Sequence, residues 1–408
     1  MENTGWKWSM LIVALSLAAG VHQDASSQPL SGKYTIGGTS PDFASFSAAV
    51  AGLDSNGISG PVIFNVRAGT YTERVVLPAI AGASDTNTIT FRSESGVTSD
   101  VLLQYAPAGE GDNSVIFLNN ASHIRIEQMT VASFGGVLFR AVIVLNDTSG
   151  TMSDVVIQGN SLNGVPANGR NPFTALVVGH AGLLTSNLTI SHNTFNNGGY
   201  GVYLPAGRVT PSTGTVIRAN TFAGCAGGVE ATNHAAIVVD SNNVSLADEG
   251  IALSACSGSL SVQQNRVVNN TGGSGIYLGN CQGTALNPGL IANNFVSLQT
   301  LSAQYGISIL GSSYQNFCFN SVSVTAPASG VGLYQSGGTN INIVNNVFFN
   351  TSGSYAYDVT TPGGIAVSDH NDLYGAGMIF LARWGSTDCI SLAALQAASG
   401  MDLHSVSA

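Results

Sequence analysis

From Val155 to Phe349 one short phrase of apolar and polar positions recurs eight times. Its fixed point is an asparagine, at Asn160, Asn193, Asn220, Asn242, Asn265, Asn294, Asn320 and Asn346. Three residues ahead of each stands an apolar side chain, from Ile157 to Ile343, and two residues behind it another, from Leu162 to Phe348. Successive asparagines are 33, 27, 22, 23, 29, 26 and 26 residues apart, a repeat whose length varies in its loops. Alternation over three to five residues on both sides of the asparagine predicts two short strands, each with one inward face. A helix is excluded, because Gly and Asn interrupt the phrase before two turns could form. A third strand, led by glycine, completes each repeat at 201–204, 228–231, 250–253, 275–278, 306–309 and 330–333. Three short strands in constant order describe a coil stacked on its neighbours.

On these residues the chain resembles the right-handed parallel β-helix of the pectin lyase-like superfamily. The expected fold is all-β, with three short strands per coil, roughly 10–12 coils and short helical caps at both ends. The resemblance implies that the asparagines stack inside the cylinder as a ladder, a buried arrangement that persists only if each amide is fully hydrogen-bonded. It also makes the phrase Val62–Val66 with Gly69–Glu73 the structural entry to the helix, so that Glu73 is not catalytic.

The expected organisation is a secretory leader over 1–28, an N-terminal cap over 29–60, the β-helix over 61–375 and a closing segment over 376–408. The leader rests on Lys7, the apolar run Met10–Val21 and the small residues Ala25-Ser26-Ser27. Its apolar core is shorter than the roughly 20 residues of a membrane span, so no transmembrane segment is expected after its removal. Roughly 380 residues remain, matching one elongated domain in which each coil adds core. In the cap, Asp42 is the expected helix N-cap ahead of Phe43, Phe46, Val50 and Leu53. Gln128 is expected where the ladder asparagine later stands. Leu392, Leu395 and Gln396, ended by Gly400, predict a closing helix.

Charge narrows the function. The chain carries 12 Lys plus Arg against 22 Asp plus Glu, a net charge of −10, and its only lysines are Lys7 and Lys33. No basic stripe exists to neutralise phosphates, which excludes a nucleic-acid partner. With 50 glycines and positive mean hydropathy the composition fits a solenoid and not disorder. Of five cysteines, Cys256 and Cys281 fall at equivalent places in successive coils, paired in an oxidising compartment or stacked as free thiols. No Cys/His pattern marks zinc.

In polysaccharide-processing β-helices the substrate groove follows the outward face of the third strand. Carried onto this sequence, the resemblance places Tyr203, Glu230, Ala252, Tyr277, Ser308 and Gly332 on that face, with Asp248 and Glu249 just ahead of theirs. Glu230 with Glu249 or Asp248 are the candidate catalytic carboxylates, since coils about 4.8 Å apart bring them into the range that glycoside hydrolysis uses. Tyr203 and Tyr277 are candidate sugar-stacking residues; Arg170 and Arg208, from the long loops 164–173 and 205–214, and His234 complete the expected substrate contacts. Arg218 and Asp240 share another outward column and are expected to form a local ion pair. The polygalacturonase and lyase signature residues of the superfamily are absent.

Two classes of function follow. One is an extracellular polysaccharide-binding or polysaccharide-degrading protein, the enzyme then being a glycoside hydrolase or polysaccharide lyase. The other is a structural or adhesive cell-surface solenoid. The expected partner is a polysaccharide or cell-surface glycan, neutral unless calcium bridges it, and the expected state is a secreted monomer without a cofactor or metal.

Overall fold

The computed structural model describes residues 28–136, 138–147, 150–205, 208–246, 248–269, 272–299, 305–325, 330–376 and 380–408. The expected leader lies outside them, apart from Gln28. The described chain winds through three long sheets of 15, 13 and 12 strands, the first including two short extra strands, Ser212–Thr213 and His234–Ala235. Strands ahead of the asparagine, such as Thr185–Ser191 and Val216–Arg218, build the first sheet. Those behind it, such as Thr194–Asn196 and Thr221–Ala223, build another, and the glycine-led strands Tyr200–Leu204, Gly227–Thr232 and Ile251–Ser254 build the third. Every ladder between named strands is parallel except the last, where Ala382–Trp384 meets Thr387–Cys389 antiparallel. The chain is a right-handed parallel β-helix of about 12 coils, the hand that parallel crossovers take.

Like residues stack on like inside the cylinder. Ile157, Ile190, Ile217, Val239 and Val262 form one fully buried column, each paired in register with the next. In the sheet behind the asparagine, Phe195 and Phe222 stack with centroids 4.5 Å apart.

The ladder satisfies every amide it buries. Asn193 Nδ2 donates to Ile157 O at 2.8 Å and to Asn220 Oδ1 at 3.1 Å, while its Oδ1 accepts from Asn160 N at 2.9 Å and Asn160 Nδ2 at 3.1 Å. Asn371 adds a ninth rung that the phrase did not show, and hands the ladder to Asp402 Oδ1 and Ser405 Oγ in the closing segment. At the other end the rung position belongs to Met129, whose N donates to Asn160 Oδ1, and not to Gln128. Gln128 stands one place earlier, where the backbone turns left-handed (φ 54°), as do His192, Ala219 and Ser241 ahead of their asparagines. His192 is therefore a turn residue.

The leading glycines have a packing cause. A Cβ on Gly250, Gly275 or Gly306 would fall 2.2–2.5 Å from Val267, Val296 or Val322 Cγ1, inside the cylinder. Register also corrects one strand: Ser308 pairs with Tyr334, so Tyr334 and not Gly332 faces outward in the coil after Gly306–Ile309.

At the amino end Leu30–Ile36 adds a strand to the first sheet, and the helix Phe46–Asn56 covers the open coil. Ser45, not Asp42, caps that helix by accepting from Ala48 N; Asp42 accepts from Thr35 N at 2.7 Å instead. Glu73 accepts from Phe46 N and Ser47 N at the same helix end, a structural role. At the carboxyl end the helix Leu392–Ser399 runs from Ser391 to Gly400. Cys256 and Cys281 occupy equivalent buried places and are free thiols. Arg218 and Asp240 are register partners, yet the Asp240 carboxylate accepts from the Ser241 hydroxyl, and the pair is not among the described ion pairs.

Candidate functional site

The outward column of the glycine-led sheet is continuous. Val76 pairs with Phe117, Phe117 with Val144, Val144 with Val178, Val178 with Tyr203, Tyr203 with Glu230, Glu230 with Ala252 and Ala252 with Tyr277. One residue per coil, about 4.8 Å apart, makes this column a floor that runs along the helix axis.

The first five positions floor a groove of about 770 Å³. Its walls are the turn Glu110–Asn113, the pair Pro172-Phe173, and His180-Ala181 with Pro205. Asn113 fixes one wall to the other: its Nδ2 donates to Phe173 O at 2.9 Å and its Oδ1 accepts from Ala141 N. Arg74 closes one end with its guanidinium 5.5 Å from the Phe117 ring centre and its Nε on Ser114 Oγ. Apolar faces with a few fixed polar groups at the margin are the usual make-up of a ligand cleft. Arg74, Glu110, Phe117 and His180 were not singled out from sequence.

Beyond Tyr203 the floor becomes acidic. The Glu230 charge helps to raise the neighbouring Tyr200 phenol, and the Tyr200 and Tyr203 rings lie 4.8 Å apart. Arg170 reaches over from the loop 164–173 and places Nε 3.1 Å from Asp248 Oδ2 and Nη1 3.3 Å from Glu249 Oε2. Glu249 is 12% exposed and also accepts from Ser274 N at 3.2 Å. Burial pushes its carboxyl up to about 7, against the opposing pull of Arg170. Burial and the Glu230 charge likewise raise Tyr200 and Tyr203. A carboxyl protonated near neutral pH beside further carboxylates is a proton donor set next to proton acceptors.

Six of the eight sequence candidates thus gather on one face: Tyr203, Glu230, Asp248, Glu249, Arg170 and Tyr277. Arg208 does not join them. Its Nε donates to Gly182 O at 2.9 Å and its Nη2 to Asp147 O at 3.4 Å, so loop carbonyls hold the guanidinium. His234 is not open to a substrate: it is 3% exposed, lies 3.0 Å from Thr215 Oγ1 through Nδ1, and burial lowers it to about 4.

Among known proteins, residues 174–365 match the family model described as "NosD: Periplasmic copper-binding protein (NosD)". Among the described residues, two groups bring three potential metal ligands within 4.8 Å of one another: Asp369, His370 and His404, and Asp85, His123 and Asp154. Both lie outside the matched stretch. No curated protein matches the chain. A pectin methylesterase from Aspergillus niger is similar over 94% of this chain and 92% of its own at 12% identity and a TM-score of 0.23. A PL6-family alginate lyase is similar over 86% of this chain and 51% of its own at 13% identity and a TM-score of 0.28. By its three parallel sheets and its asparagine ladder, the chain is a right-handed parallel β-helix.

Proposed function

We propose that this protein binds a glycan chain along the outward face of its glycine-led strands. The observation that carries the reading is the unbroken outward column from Val76 to Tyr277, whose apolar, aromatic groove leads directly into the Tyr200–Glu230–Arg170–Glu249 cluster. An elongated floor with stepwise side chains suits a polymer whose units repeat along it, and Phe117, Phe173 and Tyr203 offer rings to sugar faces at little entropic cost. The acidic end and the scarcity of lysine favour a neutral glycan over a polyuronate. Work on a polymer of this kind fits a site outside the cytoplasm, as do the leader-like amino terminus and the periplasmic description of the matching family. Among the described residues no helix is long and apolar enough to cross a membrane.

A second reading, glycoside hydrolysis, is favoured by Glu249 held at about 7. In it Glu249 donates the proton to the leaving oxygen and Glu230 acts as the base or nucleophile. The test is a panel of neutral and acidic glycans scored for both binding and reducing-end release by the wild type, Glu249→Gln and Glu230→Gln. Binding without release supports a carbohydrate-binding β-helix. Release lost in both variants adds the hydrolase, and no binding to any glycan, with or without calcium, would leave the structural or adhesive solenoid.

A further inference from the structure

The carboxyl-terminal end holds a second cluster, remote in sequence from the groove. Asp369 ends the last strand of the first sheet, His370 follows at the left-handed turn (φ 57°), and His404 comes from the closing segment. The Asp369 carboxylate binds both histidines twice. Its Oδ1 accepts from His370 N at 2.9 Å and His404 N at 2.8 Å; its Oδ2 lies 3.3 Å from His370 Nδ1 and 2.7 Å from His404 Nδ1. The two imidazoles stack with centroids 5.0 Å apart and planes 20° apart. One ligand atom from each of the three residues lies within 4.8 Å of the others. Asp369 is 22% exposed in its side chain, whereas His370 and His404 are 58% and 67% exposed, so the cluster opens to solvent.

We propose that Asp369, His370 and His404 bind one divalent cation of the zinc, nickel or copper class, which pins the closing segment to the last coil. Two imidazoles and a carboxylate without sulfur select borderline first-row ions over calcium and magnesium. Three protein ligands leave at least one position for water. Binding replaces the hydrogen bonds between the ring nitrogens and Asp369, so any proton held on a coordinating nitrogen is released as the metal enters. The other trio is disqualified by its neighbours: Arg125 Nη2 lies 2.7 Å from Asp154 Oδ2, the oxygen that His123 also approaches. Asp369 pairs with no arginine or lysine among the described ion pairs. The tie spans 35 residues of chain, and His404 lies next to Ser405, whose hydroxyl accepts from the backbone N–H of the last ladder rung, Asn371. A cation here would therefore stabilise the terminal rung as well as the tail.

The test is titration of the full chain with zinc and, separately, nickel chloride at neutral pH by calorimetry, alongside thermal melts with and without metal. The expected result is one equivalent bound at micromolar or better affinity and a midpoint raised by several degrees. His370→Asn keeps a residue that tolerates the left-handed turn and is expected to weaken binding at least tenfold while leaving the metal-free melt nearly unchanged. His404→Gln is expected to do the same. His123→Ala should bind as the wild type does. Absence of stoichiometric binding, or binding unchanged in both His370→Asn and His404→Gln, would overturn the proposal.

Discussion

Arg170 Nη1 lies 3.3 Å from Glu249 Oε2 although 79 residues separate them in the chain. The loop that carries Arg170 leaves one coil and lies over those that follow, so a single guanidinium ties Asp248 and Glu249 to the wall of the face. Burial and this cation act on Glu249 in opposite directions, and burial prevails.

That balance gives stability a pH dependence. With Glu249 raised to about 7 from an ordinary 4.5, the folded chain holds a proton that the unfolded chain has released between those values. The stability that goes with this proton is full below about pH 4.5 and lost as pH rises through about 7, a change on the order of 3 kcal/mol. Glu249→Gln should remove that loss. Denaturant midpoints are expected to be higher for the variant than for the wild type at pH 8 and to converge at pH 4.5; identical profiles would show that Glu249 titrates normally.

The ladder predicts a large effect from a small change. In Asn220→Ala, Asn193 N and Nδ2 lose the acceptor Asn220 Oδ1, and Ile190 O loses its donor, all of them buried. Each orphaned group costs roughly 1–3 kcal/mol, so a loss of about 3 kcal/mol or more is expected in urea unfolding. Asn196→Ala, which removes a partly exposed amide pair with Asn163 on the outside, should cost under about 1 kcal/mol.

Gly275→Ala tests the packing account of the leading glycines. Its Cβ would stand 2.3 Å from Val296 Cγ1 and 2.8 Å from Gly306 O, and the second of these is backbone that cannot swing away. A loss of about 1–3 kcal/mol is expected from overpacking. Combining it with Val296→Ala should recover part of that loss, whereas a purely entropic role for the glycine would make the substitution neutral or stabilising.

The coils were legible because one asparagine and its two apolar neighbours repeat in a fixed frame, and a period-2 strand then assigns every side chain a face. That frame placed Tyr203, Glu230 and Tyr277 on one outward column. It failed where two glycines stood two residues apart, since Gly330 and Gly332 serve equally well as a leading glycine in sequence and only the pairing of Ser308 with Tyr334 decides. Outside that frame the expectation failed: Arg208 and His234, both expected to contact substrate, are held by loop carbonyls and buried, respectively. The groove itself was hidden for another reason. Val76 and Val144 face outward within all-apolar runs, and such runs read as strands buried on both faces. Asp369 and His404 meet only because the closing segment folds back on the last coil.

Glycan affinity measured on groove variants tests the central claim most directly. On a glycan that the wild type binds, Phe117→Ala and Tyr203→Ala should each weaken binding about tenfold, equivalent to ~1.4 kcal/mol. Tyr374→Ala, which removes an aromatic stacked on Phe349 in a different sheet, should leave affinity unchanged. Equal loss in all three variants, or undiminished binding in Phe117→Ala and Tyr203→Ala, would contradict a site on the glycine-led face.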